Sequence, residues 1–199
     1  MPQTKRSDRA TGLAIFLIIA GIIGFAAAFM LTLDKIHLLE NPNAQLSCNF
    51  SVLIGCSSNL SSPQGAVLGF PNPLIGLAAW SVVITIGMAL LSGARFARWF
   101  WMGLNIGLLG AIVFVIWLIG QSIFVLDVLC PWCMVTWAVT IPAFLAVTLY
   151  NFKVGNLPGG AKISAVAAAL YSWLFVITIA CYIVFFIVAQ VNMDVLNRL

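Results

Sequence analysis

Five long stretches of the chain are almost wholly apolar, and polar residues cluster between them instead of alternating through them. The stretches are Leu13–Leu33, Leu74–Leu91, Trp99–Leu126, Pro131–Tyr150 and Ile163–Ala189. A helix needs roughly 20 such residues to cross a hydrocarbon core about 30 Å thick. Lipid offers no partner for open backbone groups, so repeated runs of this kind are predicted to be transmembrane helices. Small residues recur within them at Gly21, Gly24, Gly76, Gly87, Gly103, Gly107 and Gly110. Such glycines read as places where neighbouring helices approach closely.

The connections are unequal. Ser92–Arg98, Asp127–Cys130 and the turn-rich Asn151–Lys162 are short, whereas Asp34–Pro73 is long and only mildly polar. A loop of that length in a small chain is usually functional. Within it, Ser62-Pro63-Gln64 reads as a helix N-cap followed by proline at the first helical position. Ala66–Phe70 is then predicted to be a short half-helix on the membrane surface, ended by Gly69 and Pro71 and capping the bundle. The expected organisation is an all-α integral membrane protein. Residues 1–12 form an N-terminal tail and 13–150 a four-helix core, with the outer loop and cap at 34–73. Residues 151–162 form a connection, and 163–199 a fifth transmembrane helix with its tail.

Composition and charge narrow the class further. The chain is 63% hydrophobic and 7% charged, against roughly 25% charged in soluble domains. A soluble domain and a disordered chain are excluded. The net charge of +4 comes from nine basic residues scattered between apolar runs, which form no patch for nucleic acid. Those residues do set an orientation, because cytoplasmic loops are rich in Lys and Arg. With the N-terminus inside, Lys5, Arg6, Arg9, Arg95, Arg98, Lys153 and Lys162 lie inside, and only Lys35 and Arg198 outside. The uncharged run of the first segment exceeds the 7–15 residues of a signal-peptide core, so it reads as a retained anchor. Five crossings then put the C-terminus outside.

Four of the five cysteines fall at the outer side: Cys48 and Cys56 in the long loop, and Cys130 and Cys133 in Cys130-Pro131-Trp132-Cys133. That side is oxidising, so disulfides persist there. The Cys-x-x-Cys opens the fourth run with Pro131 suited to a first helical turn, placing Cys130 at the N-cap and Cys133 in the first turn. Exposed N–H groups and the positive end of the helix dipole stabilise a thiolate there. Three residues of helix also bring the two Cα atoms within the roughly 4.4–6.8 Å that a disulfide requires. Eight residues of continuous helix would instead hold Cys48 and Cys56 about 12 Å apart. If they pair, Asn49–Gly55 must loop back, with Gly55 supplying the freedom. The arrangement suits an electron shuttle. Two structural disulfides, or a Cys₄ zinc site, are the other uses of four cysteines. Cys181 reads as an inert thiol within the fifth run, His37 as a loop surface residue, and Asp127 as a complement to the helix dipole.

These residues resemble the vitamin K epoxide reductase family. The likeness covers about Leu13–Tyr150. It rests on Cys48 and Cys56, on Ser61-Ser62-Pro63-Gln64, on Gly69-Phe70-Pro71-Asn72-Pro73-Leu74-Ile75-Gly76, and on Cys130-Pro131-Trp132-Cys133. It implies a four-helix bundle around a quinone (menaquinone or ubiquinone), with no metal. Cys133 would reduce or adduct the quinone and Cys130 would resolve it. Cys56 would relay electrons to Cys130, and Cys48 would exchange with a secreted DsbA-like thioredoxin-fold protein. Asn72 would hydrogen-bond a quinone carbonyl, with Ser62, Phe70 and Trp137 also at the quinone. Trp137 stands where the animal enzymes carry a tyrosine. An indole N–H only donates, which favours a plain quinone over an epoxide. Many bacterial relatives also carry a fused thioredoxin-like domain. This sequence ends at Leu199, so the partner is expected to be a separate protein. The resemblance thus implies a disulfide-generating oxidase of a bacterial inner membrane. A non-catalytic channel or assembly subunit with two structural disulfides is the competing class.

Overall fold

A computed structural model describes residues 4–51 and 53–198, with side chains from Thr11 onward. The first apolar run forms helix α1, Thr4–Glu40. At 1.5 Å per residue it is about 55 Å long, more than a bilayer core requires. The charges from Asp34 to Glu40 therefore end the apolar run without ending the helix. The expected tail at 1–12 is likewise helical from Thr4, residues 1–3 lying outside those described. The long loop proper begins only after Glu40.

The next three crossings follow the hydrophobic pattern closely. They are α3, Asn72–Leu91, then α4, Arg98–Gln121, and α5, Pro131–Val154. A short helix α2, Ser57–Ser61, precedes α3 in the loop. The core joins α1, α3, α4 and α5 through Leu13, Leu17, Ala28, Trp80, Val83, Trp101, Leu108, Ala143 and Val147. At the end of the bundle away from the cysteines, Asn151 is fully buried. Its amide donates to Trp101 O (3.2 Å) and Asn105 Oδ1 (3.0 Å) and accepts from Asn156 Nδ2 (3.0 Å). Each of these polar groups is satisfied, as burial demands.

The expected fifth span, Ile163–Ala189, is not one helix. The chain forms α6, Ala161–Ser172, and α7, Leu174–Met193, broken at Trp173. Ser172 Oγ donates back to Ala169 O at 2.6 Å, and Trp173 N closes a tight turn onto Leu170 O. Back-bonding of this type bends helices, and hydropathy carries no trace of it. Only α7 is long and apolar enough to cross a membrane, making five such helices among the described residues. The chain is a multi-pass membrane protein. Its expected outer tail folds back as α8, Val195–Arg198. Met193 and Val195 are buried beside Leu53, Ile123 and Leu129.

The glycines divide into two groups. A methyl on Gly21, Gly24, Gly76 or Gly87 would lie 2.2–3.0 Å from atoms of the facing helix, so α1 and α3 pack as closely as the sequence suggests. Gly103, Gly107 and Gly110 of α4 have no such neighbour within 4 Å. Their presence on α4 reflects no close approach to another element.

Candidate functional site

The cap departs from its expected form. In place of a half-helix at Ala66–Phe70, the loop forms α2 and then a 3₁₀ turn at Pro63–Ala66. Ser62 does occupy the N-cap by backbone, but its hydroxyl donates to Asn59 O (2.8 Å) and caps nothing. Gly69 takes a left-handed conformation (φ 82°) that only glycine adopts readily, and this turns the chain into α3.

Two backbone hydrogen bonds bring the cysteine segments together. Leu129 N donates to Leu53 O (2.8 Å) and Gly55 N to Leu129 O (3.0 Å), an isolated parallel bridge between Ile54 and Leu129. The residues that follow, Cys56 and Cys130, are thereby placed side by side, with the Cys130 thiol 3.4 Å from Cys56 Sγ. Both are fully buried. Asn59 reinforces the join by donating to Val128 O and accepting from Ser122 Oγ.

Cys48 and Cys56 form a disulfide with Cα atoms 5.8 Å apart. The intervening segment loops back as expected, organised by Asn49. Its Oδ1 accepts from Cys56 N (2.9 Å) and Ser57 N (3.3 Å), and its Nδ2 donates to Ser57 Oγ (2.7 Å). Gly55 serves space here more than backbone freedom, because a Cβ on it would sit 2.9 Å from Asn49 Oδ1. The disulfide faces inward, with Cys48 3% and Cys56 0% exposed.

The Cys-x-x-Cys geometry follows its sequence. Cys130 is the N-cap of α5, Pro131 opens the helix, and Cys130 Sγ accepts from Cys133 N at 3.4 Å. Cys130 and Cys133 are both free thiols, as is half-buried Cys181. The turn before them contains a π-helical segment, Ser122–Leu126, ended by Asp127 in the left-handed conformation (φ 51°). Asp127 pairs with Arg198 NH1 at 3.1 Å, which ties the folded-back tail to this turn. His37 is exposed, but on α1 and not in a loop.

Cys133 opens into a partly open cavity of about 170 Å³ lined by α1, α3, α4, α5 and the cap. Its walls are largely apolar, among them Leu31, Trp80, Val83, Phe114, Val115 and Trp137. Polar residues also line it: Asn59, Gln64, Asn72, Gln121 and Ser122 from the cap side, with Thr136 and Thr140 further along α5. Asn72 and Trp137 thus join Cys133 in the cavity wall, whereas Ser62 and Phe70 do not line it. Phe70 is 43% exposed at the start of α3. Asn72 also braces the cap, its Nδ2 donating to Gln64 O (2.6 Å) and its Oδ1 accepting from Val67 N (3.0 Å). Gln64 and Gln121 were not singled out from sequence. Gln64 Nε2 donates to Gln121 Oε1 (3.2 Å), while Gln64 Oε1 is buried with no partner among the described residues. Helix α7 stays outside the cavity and supports it from behind, through Phe185 edge-on to Trp137 and Tyr182 Oη donating to Ala138 O.

A scan of family models matches the vitamin K epoxide reductase family over residues 15–148. The chain belongs to that family. The matched span takes in most of the four core helices, the cap, and Cys48, Cys56, Cys130 and Cys133, and it ends before α6. Family membership makes the chain a membrane oxidoreductase. A search of curated proteins gave no match.

Proposed function

We propose that the chain is a quinone-dependent thiol–disulfide oxidoreductase that reoxidises a secreted thioredoxin-fold protein. The observation that carries this reading is the continuous line of sulfur from Cys48 through Cys56 and Cys130 to Cys133, which ends at an apolar cavity. The cavity's shape and chemistry support a quinone. Its walls are mostly apolar with a few polar groups, as ligand sites usually are. The unpartnered Gln64 Oε1 offers an acceptor for a quinol hydroxyl, and the Asn72 amide has a second N–H to offer a carbonyl.

The reaction balances as a two-electron transfer. A partner thiolate attacks Cys48 Sγ, the Cys48–Cys56 bond breaks, and Cys56 leaves as a thiolate. Cys56 attacks Cys130 of an oxidised Cys130–Cys133 pair, forming Cys56–Cys130 and releasing the Cys133 thiolate towards the cavity. The partner's second thiolate then expels Cys48, and Cys48 attacks Cys56 to restore the first disulfide and free Cys130. Cys133 adds to the quinone, and Cys130 attacks Cys133 to release the quinol. In sum, one dithiol becomes a disulfide and one quinone takes up two electrons and two protons. A strongly oxidising secreted partner sits near about −120 mV, and about 30 mV is worth 1.4 kcal/mol for a two-electron couple. The acceptor must be at least comparably oxidising, which suits a lipid quinone, menaquinone or ubiquinone. The excess of Lys and Arg in the opposite connections supports placing the cysteines at the outer face, in this reading that of a bacterial inner membrane.

The inward-facing disulfide adds a condition: the loop before Cys48 must open for a protein partner to reach it. Replacement of Cys56 by alanine tests the relay. We expect oxidation of a reduced thioredoxin-fold protein to fall to background, because electrons can no longer reach Cys130. Wild-type rates in this variant would contradict the relay.

A further inference from the structure

Asp34 stands directly against the relay. It lies on α1 only 6% exposed, with Oδ2 3.3 Å from Cys48 Sγ. A cystine sulfur carries no hydrogen, so this contact is favourable only when the carboxyl holds the proton and donates it towards sulfur. No ion pair neutralises Asp34 among the described residues. Its neighbour Lys35 instead donates to Leu60 O at 2.7 Å. Exposed His37 lies one turn along the same helix, and exposed Glu40 ends it. Among the described residues, the titratable groups from the facing elements are cysteines: Cys48 and Cys56 of the loop, with Cys130 behind Cys56. Helix α2 and the first turn of α5 bring no charged side chain. Burial disfavours the ionised carboxylate here, against a smaller opposing pull from His37. Asp34, Cys48 and Cys56 could each offer a metal ion one ligand, but a bonded cystine is not a pair of thiolates, and the geometry serves proton transfer better.

We propose that Asp34 is the acid and base of Cys48, a catalytic role that rests on the relay set out above. When the partner's second thiolate expels Cys48, Asp34 gives its proton to the departing sulfur. Cys48 becomes a thiol and Asp34 a carboxylate. When Cys48 next attacks Cys56 of the Cys56–Cys130 disulfide, Asp34 takes that proton back. The Cys48–Cys56 bond forms, the Cys56–Cys130 bond breaks, and the electron pair leaves on Cys130. Asp34 ends the cycle protonated, as it began.

The step can be isolated in the full chain without a partner protein. The chain is reduced, a short-chain quinone is added, and samples are quenched with acid, alkylated and mapped for disulfides over time. With Asp34→Asn, conversion of Cys56–Cys130 into Cys48–Cys56 is expected to slow about 100-fold near pH 7, the usual scale of general acid–base catalysis. The Cys56–Cys130 species then accumulates. The rate should recover as pH rises towards about 8.5, where a free thiol ionises unaided. Asp34→Glu, which keeps a carboxyl, is expected to stay within about tenfold of wild type. A wild-type rate and pH profile in the asparagine variant would overturn the proposal. So would equal slowing in both variants with no recovery at high pH, which marks a structural residue. A wild-type chain that never passes through Cys56–Cys130 would overturn the relay itself, and this proposal with it.

Discussion

Replacing Cys133 with alanine should abolish quinone reduction while leaving the chain folded. Cys133 is the one relay sulfur that lines the cavity. Its thiolate supplies the covalent step, and removing a nucleophile of this kind costs on the order of 10³-fold or more. Its side chain does little for the fold. The contact that organises the start of α5 runs from the Cys133 backbone N–H to Cys130 Sγ, which alanine preserves. Cys130 and Cys133 are moreover not bonded to each other in this structure, so no cross-link is lost. A structural disulfide behaves differently, since its removal costs about 2–5 kcal/mol. Thermal unfolding in detergent, read beside the rate of quinol formation, separates the two. An unchanged transition with no quinol supports the redox role, and a large loss of stability points to a staple.

The second large effect concerns packing and the cavity together. A methyl on Gly24 would fall 2.2 Å from Trp80 Cε2 and 2.5 Å from Cδ2. The indole is rigid and buried, so either α1 and α3 part or Trp80 swings into the cavity that it lines. Overpacking of this kind costs about 1–3 kcal/mol. Gly24→Ala should therefore lower the unfolding temperature and raise the apparent KM for quinone. Gly103→Ala and Gly107→Ala, with open space around them, should leave both within error. Equal effects at all three positions would mean that the α1–α3 contact does not shape the cavity.

The contrast between these glycines shows what the sequence could and could not reveal. A stripe of small residues signals close packing in general, but which helix face meets a neighbour depends on tertiary placement. The crossings at Asn72–Leu91 and Pro131–Val154 were legible because hydrophobicity and helix boundaries coincide there, at prolines that begin both helices. They diverge at Asp34–Glu40, where polar residues continue α1, and at Trp173, where a break hides inside an apolar run. The site divides in the same way. Cys130 at the N-cap and Cys133 in the first turn depend on local geometry that four residues specify. Asp34, Asn59 and Gln64 make their contacts across 14, 69 and 57 residues, and no local pattern reports such distances. Asn49 likewise holds the loop through a contact seven residues away, and its type alone does not announce it.

In the proposed relay, electrons cross from Cys130 and Cys133 to a quinone. This transfer is tested most directly by alkylation trapping of the cysteines in native membranes, with quinone present and then depleted. Cys130 and Cys133 are expected to be oxidised when quinone is present and reduced when it is absent, with Cys48–Cys56 following them. Cysteines that keep one pairing whatever the quinone supply would contradict the relay.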